Sequence, residues 1–280
     1  MLERQYYSSR TGKNSKGSQL EFLELRRLFL SIYTRLEGEG YFQEDLGFMC
    51  VDSGFVPGAL GANIEDELLI GVRKDNLWPV SQLIGEYGED DLFDMIEFLF
   101  DHVSKPTKRD YHSWNDCGWH CSEFDREPGK SDFREQVNRI LKLYGGGYEL
   151  SISGAIQSLP ATGLDALLQA QVPAHDPANV NARVQAAVDK FRRARSSLDD
   201  RRDAIRDLVD VLEYLRPLAK TVLMSDDEKE LFNLANNFGV RHHNLRQKTN
   251  YDRPIWYSWL FYHYLATIHA LTRLIERKSI

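Results

Sequence analysis

The chain has 280 residues, of which 42% are apolar and 28% charged, and its formal net charge is -7. This balance is typical of a folded globular protein and excludes an intrinsically disordered chain, while the length suits about two domains of ordinary size. The negative charge means that any contact with nucleic acid has to use a local basic patch.

The sequence contains no segment that predicts export or a membrane anchor. Residues 1–18 are polar, and no stretch approaches the roughly 18 consecutive apolar residues of a membrane-spanning helix. The cysteines are Cys50, Cys117 and Cys121. So few cysteines, in an odd number, favour a reducing compartment. We therefore expect a cytoplasmic protein that makes no contact with a membrane.

Helical patterns dominate residues 1–158. A capping box at Ser18 predicts a helix that runs to about Glu37, and apolar stripes predict further helices along this half. These further helices are expected at 63–74, 79–87, 89–102 and 132–144. Two short alternating runs around Ser153 and Gly154 predict one β-hairpin. We therefore expect an α-rich N-terminal domain with a short β-hairpin.

The second half of the sequence predicts a linker followed by helices. Residues 159–178 are rich in proline, glycine and alanine, which favours a linker that contains one short helical stretch. Residues 179–280 show consecutive helical patterns, with capping signals at Ser197 and Ser225 and a helix-starting proline at Pro254. The predicted fold class is mainly α, with a helical bundle as the C-terminal domain.

The segment Asn236–Asn244 is the strongest candidate for chemistry. In it, Arg241 is followed directly by His242 and His243 at the end of a predicted helix. A histidine transfers a proton at neutral pH and an arginine holds a phosphate, and cleavage of an RNA phosphodiester needs such groups. We predict these three residues as catalytic; the alternative is a structural role, in which the arginine pairs with an acidic residue and the histidines cap the helix. The neighbouring polar and aromatic residues are predicted to bind substrate: Asn237, Asn244, Arg246, Lys248 and Tyr251.

The stretch Leu231–Ile275 resembles the helical core of HEPN-type domains, and more specifically the C-terminal part of AbiJ-like abortive-infection proteins. The first half resembles the N-terminal domain of these proteins at Asp94–Leu99, Phe133–Leu141 and Tyr148–Leu150. The resemblance implies an antiphage defence protein whose HEPN-like domain is a metal-independent endoribonuclease, acts as a homodimer and inhibits growth when triggered. It implies RNA as the partner, with tRNA as one candidate, no cofactor, and an N-terminal domain that senses a phage-derived or protein trigger.

The sequence departs from the family at the catalytic motif. Arg241 and His242 match the family's arginine and the polar residue after it, but the family's histidine stands several residues further on. Here positions 246–248 hold arginine, glutamine and lysine. Two alternatives stay open: a variant active site that uses His242 or His243, or a non-catalytic binding or scaffold subunit of a defence complex.

A second cluster of reactive residue types lies at His112–Cys121. The candidates for zinc ligands are His112, Cys117, His120 and Cys121. His120 and Cys121 are neighbours that can point in different directions, and Cys50 can join them only through the fold. The favoured interpretation is an ordered aromatic loop without a metal; the alternatives are a recognition loop for bases or a protein partner, and a zinc-stabilised regulatory protein unrelated to RNA.

Overall fold

The structure is a computed structural model that describes residues 6–12, 19–160, 163–170, 176–223, 231 and 251–279. Within these residues the fold is mainly α, as the sequence predicts. The chain divides into two compact units, Met1–Leu159 and Pro160–Ile280.

The first unit has a core formed by its long helices. The bounds of its helices are α1 Tyr7–Arg10, α2 Phe22–Gly38, α3 Gln43–Leu46, α4 Ile64–Gly71, α5 Val80–Leu83, α6 Glu89–Asp101 and α7 Arg126–Leu141. Helix α7 packs against α2 and α6, and the apolar stripes of these three helices are buried. Helix α2 begins after Glu21, whose amide donates to the Glu24 carboxylate at 3.2 Å. The predicted cap Ser18 lies outside the described residues.

Helix α7 begins at Arg126, six residues before the predicted start, even though Pro128 and Gly129 follow directly. The proline breaks no hydrogen bond there, because amides in the first turn of a helix have no partner within the helix. A Cβ atom at Gly129 would lie 2.6 Å from the Cα atom of Ser104. Glycine therefore lets the helix pass close to the chain that enters the next strand, so here a residue that normally interrupts helices is required by packing.

The described part of the first unit contains three two-stranded antiparallel sheets, where the sequence predicts a single hairpin. Their strands are β1 Phe48–Cys50 with β2 Gly54–Val56, β3 Lys105–His112 with β4 Gly118–Asp125, and β5 Tyr148–Leu150 with β6 Ile156–Ser158. The last pair is the predicted hairpin. The prediction missed β3 and β4 because no residue of either strand is buried, so neither strand shows an apolar period of two.

The second unit is built from long helices. The bounds of its helices are α8 Asp165–Gln169, α9 Ala182–Arg192, α10 Leu198–Val222 and α11 Arg253–Ser279, and a π-helical turn, Pro177–Asn181, leads into α9. Leu164, Leu167 and Leu168 fall in the predicted linker, and they pack against the core of this unit. The helix predicted from Ser225 lies outside the described residues.

Helices α10 and α11 run in the same direction. Near their ends, the Lys278 ammonium of α11 donates to the carbonyl of Thr221 in α10. Towards their starts, Phe191, at the end of α9, stacks on Phe261 of α11 with ring centroids 3.9 Å apart. Because a helix of this length spans about 40 Å, the end of α10 and the start of α11 lie at opposite ends of the pair.

Replacing Ser197 by alanine is expected to lower the free energy of unfolding of the second unit by about 1 kcal/mol. The Ser197 hydroxyl accepts from the Asp200 amide at 3.1 Å, and the Asp200 carboxylate accepts from the Ser197 amide at 3.0 Å. The variant would leave one donor at the start of α10 without its cap, which chemical denaturation measures. Ser258→Ala is the control, because the Ser258 hydroxyl donates to the carbonyl of Pro254 within its own helix. Equal stability of the two variants would contradict the capping role.

Candidate functional site

Of the residues predicted to be catalytic or to bind substrate, Tyr251 alone falls among the described residues. Arg241, His242 and His243 lie outside them, and so do Asn237, Asn244, Arg246 and Lys248. Tyr251 is described and packs, half-buried, against the core of the second unit. Its ring meets the edge of Tyr257 with centroids 6.4 Å apart, and burial raises the pKa of its hydroxyl.

A cluster of side chains in the first unit brings together Cys50, His112, Cys117 and His120. One sulfur or ring nitrogen from each of these residues lies within 4.8 Å of those of the other three. We call these four residues the Cys/His cluster. Three of them come from the segment in which the sequence shows zinc-ligand candidates, and Cys50 comes from 62 positions before His112.

Two hairpins supply the Cys/His cluster. Cys50 is the last residue of β1, and His112 is the last residue of β3. Cys117 ends the tight turn between β3 and β4, and His120 lies on β4 opposite Asp110. Because residues two apart on a strand share a face, His112 and His120 project from the same side of this hairpin. Their ring centroids are 5.1 Å apart.

Cys121 does not belong to the Cys/His cluster, although the sequence places it among the zinc-ligand candidates. It follows His120 on β4, so its side chain projects from the opposite face of the strand. There its sulfur packs against Gly40, where an added Cβ would lie 2.5 Å from it. Its amide donates to the Gln43 side-chain oxygen at 2.9 Å, and burial raises the pKa of its thiol. Cys121 therefore fastens β4 to α3.

Within the cluster, each histidine directs one ring nitrogen at a sulfur. The distance from His120 Nε2 to Cys117 Sγ is 3.3 Å, and the distance from His112 Nδ1 to Cys50 Sγ is 3.9 Å. The other nitrogen of His112, Nε2, lies 3.2 Å from a carboxylate oxygen of Asp52. A carboxylate at this position fixes which nitrogen of the ring carries the proton, and leaves the other free to bind a ligand.

Backbone amides in the turn between β1 and β2 point at the sulfurs. The Val51 amide donates to Cys117 Sγ at 3.4 Å. Hydrogen bonds from the amides of Asp52 and Ser53 lower the pKa of the Cys50 thiol to about 7. A sulfur that accepts such bonds is stabilised as a thiolate, which is the form that binds metals.

The Cys/His cluster is shielded but reachable from solvent. Cys50 is 6% exposed, and the other three residues are half-buried. A surface pocket of about 400 Å³ opens beside the cluster, and the acidic residues Asp52 and Asp110 are among those that line it. The pocket gives a cation a route to the sulfurs and nitrogens, and its acidic lining attracts positive charge.

Sequence reasoning named Cys50 only as a residue that the fold could bring to the zinc-ligand candidates, and it missed Asp52. Neither residue lies in a recognisable motif, and the only available signal was that the chain has a third cysteine far from the other two. Their contribution depends on the turn between β1 and β2 meeting the tip of the β3–β4 hairpin, which is a tertiary contact.

Comparisons with known proteins assign the chain to no family. No protein-family model matches it, and no curated protein or solved structure shows significant similarity to it. Among the helices that the structure describes, none is both long enough and apolar enough to cross a membrane.

Proposed function

We propose that the protein is an antiviral defence protein of the abortive-infection type, in which the second unit cleaves RNA without a metal by HEPN-type chemistry. Arg241 holds the scissile phosphate, and His242 or His243 transfers the proton. The resemblance of Leu231–Ile275 to HEPN cores supports this function. The first unit then serves as the sensing or regulatory part, with a phage-derived or protein trigger.

One observation in the second unit supports the proposal: α10 and α11, the described helices that precede and follow the Arg241–His243 segment in the chain, share a single apolar core. This core includes Leu208 and Leu212 of α10 and Leu260 and Phe261 of α11, all of which are buried. Catalytic side chains stabilise a transition state best when the protein around them is rigid. A packed core of long helices gives the second unit that rigidity. A helical bundle is also the fold that the resemblance implies.

Incubation of the purified full-length protein with total RNA tests the proposal. Cleavage is expected to persist in EDTA, and Arg241→Ala is expected to reduce its rate by about 10²–10³-fold, the usual effect of removing one group that stabilises transition-state charge. Arg277→Ala, which removes an exposed arginine from the last turn of α11, is the matched control. Alanine at His242 and His243 in turn identifies the proton-transfer group. Cleavage that requires a divalent ion, or that is unchanged in Arg241→Ala, would contradict the assignment.

A second candidate function rests on the sequence of the motif itself. Because positions 246–248 hold no histidine, a HEPN-like scaffold without catalysis is the alternative. Under that alternative, wild type and Arg241→Ala behave alike with RNA, and the protein co-purifies with a fixed partner of the defence complex. Growth arrest on expression, relieved by Arg241→Ala in a protein that still folds, separates the nuclease from the scaffold.

A further inference from the structure

We propose that Cys50, His112, Cys117 and His120 bind one zinc ion, which fastens the β1–β2 hairpin to the tip of the β3–β4 hairpin. The site lies in the first unit, and its four ligands differ from every residue to which the proposed RNA chemistry is assigned.

The donor set and its spacing select zinc. Two thiolates with two imidazoles are a common tetrahedral zinc shell, whereas magnesium and calcium prefer oxygen ligands. Zinc–sulfur and zinc–nitrogen bonds of about 2.3 and 2.0 Å place sulfur and nitrogen roughly 3.5 Å apart on the edge of such a tetrahedron. The sulfur–nitrogen distances in the two cysteine–histidine pairs, 3.3 and 3.9 Å, lie on either side of this value. All four ligand atoms lie within 4.8 Å of one another, so they draw closer together around the ion when it binds.

The ligands have the hydrogen-bond partners that are common around metal sites. Asp52 holds Nε2 of His112 at 3.2 Å, so that Nδ1 faces the sulfurs. The Val51 amide donates to Cys117 Sγ at 3.4 Å. Metal-bound histidines commonly donate their second nitrogen to a carboxylate, and such partners orient the ligand and tune the metal. The turn at residues 50–53 thus provides Cys50 as a ligand, and its Asp52 and Val51 contact the ligands His112 and Cys117.

Four protein ligands make this a structural site rather than a catalytic one, since a catalytic zinc keeps a position open for water or substrate. Cys121 attaches the middle of β4 to α3, and the zinc ion would add a second attachment near the tip of the hairpin. No residue of β3 or β4 is buried, and Trp114 in the turn between them is 65% exposed. A two-stranded hairpin is marginally stable by itself, so a metal at its tip supplies the energy that apolar burial does not.

Metal analysis of the full-length protein, purified with a tag that contains no histidine, tests the proposal directly. About one zinc per chain is expected in wild type, and Cys121→Ser should keep it, while Cys50→Ser and Cys117→Ser should lose it. The cysteine control is matched because Cys121 lies on the same hairpin but outside the cluster. The assignment would be overturned if both Cys50→Ser and Cys117→Ser kept their zinc. It would also be overturned if Cys121→Ser lost as much zinc as they do.

Two measurements on wild type keep the test independent of whether the variants fold. Cobalt(II) added to the chelator-treated protein should give the intense visible absorption of a tetrahedral thiolate site, and zinc should abolish it. Native alkylation should spare Cys50 and Cys117 until a chelator is added. A protein that takes up neither metal, or native alkylation that modifies Cys50 and Cys117 before a chelator is added, would overturn the proposal. None of these readouts involves RNA, so this proposal and the proposed function can fail separately.

Discussion

Replacing Asp45 by alanine is expected to lower the free energy of unfolding of the first unit by about 3 kcal/mol. Asp45 is 3% exposed, and its two carboxylate oxygens accept from the Arg126 guanidinium at 2.6 and 3.1 Å. One of them also accepts from His102 Nδ1 at 2.8 Å. The carboxylate thus joins α3, the residue after α6 and the first residue of α7. Since the Arg126 side chain is 44% exposed and water reaches it in the variant, the expected loss is at the low end for a buried pair.

The same carboxylate gives the first unit an acid-sensitive contribution to stability. Burial raises the pKa of Asp45, but hydrogen bonds from Arg126 and His102 outweigh this and hold the pKa below its usual value. A group whose pKa is lower in the folded state stabilises the protein fully above its unfolded pKa, about 3.9, and loses this contribution as the pH falls through the folded value. Wild type should therefore lose more stability than Asp45→Asn between about pH 5 and the folded pKa.

Denaturation followed by hydrogen exchange in peptides of α3 and α7 measures the effect of Asp45→Ala. Glu123→Ala is the control, because the Glu123 side chain is 63% exposed and pairs with Lys108 at the surface. It should cost less than about 1 kcal/mol. An Asp45→Ala variant no less stable than this control would show that the buried carboxylate does not hold the three segments together.

The second large effect is expected in the other unit, where Phe261→Ala should cost about 4 kcal/mol. Phe261 is fully buried, and its ring lies nearly parallel to that of Phe191 with centroids 3.9 Å apart. Truncation removes this stacked pair and leaves a cavity at the junction of α9, α10 and α11, which the surrounding helices fill only in part.

Hydrogen exchange resolved by peptide tests where the loss from Phe261→Ala falls. Protection in α10 and α11 should drop, while protection in α2 and α6 should stay unchanged, because the two compact units have separate cores. Ile255→Ala, on the same helix but 65% exposed, should change stability by less than about 1 kcal/mol. A uniform loss of protection across both units would contradict the separation of their cores.

Local signals predicted much of the helical structure. The apolar stripe predicted a helix at 89–102, and the structure has α6 at Glu89–Asp101. The cap at Ser197 and the helix-starting Pro254 fall where α10 and α11 begin. These features depend on neighbours within one or two turns, so a single sequence contains the information that determines them.

Contacts between distant segments set the features that the prediction missed. The start of α7 depends on the close packing of Gly129 against Ser104. The sequence around Gly129 contains no signal that predicts this contact. The Cys/His cluster depends on Cys50 meeting residues more than 60 positions away, a distance over which spacing has no predictive value. The segment Arg241–His243 remains a prediction from sequence and resemblance.

The exposure of the β3–β4 hairpin also affects how the protein behaves at high concentration. Within the described residues β3 pairs with β4 alone, so its other edge has no strand partner there. Strand β3 contains Pro106, which has no amide hydrogen, and two lysines in ion pairs, Lys105 with Asp132 and Lys108 with Glu123. Such residues disfavour pairing between chains, because proline lacks a hydrogen-bond donor and charged side chains resist burial against another strand. The strands were missed because they lack an apolar pattern. The same polar character disfavours edge-to-edge aggregation of the folded protein.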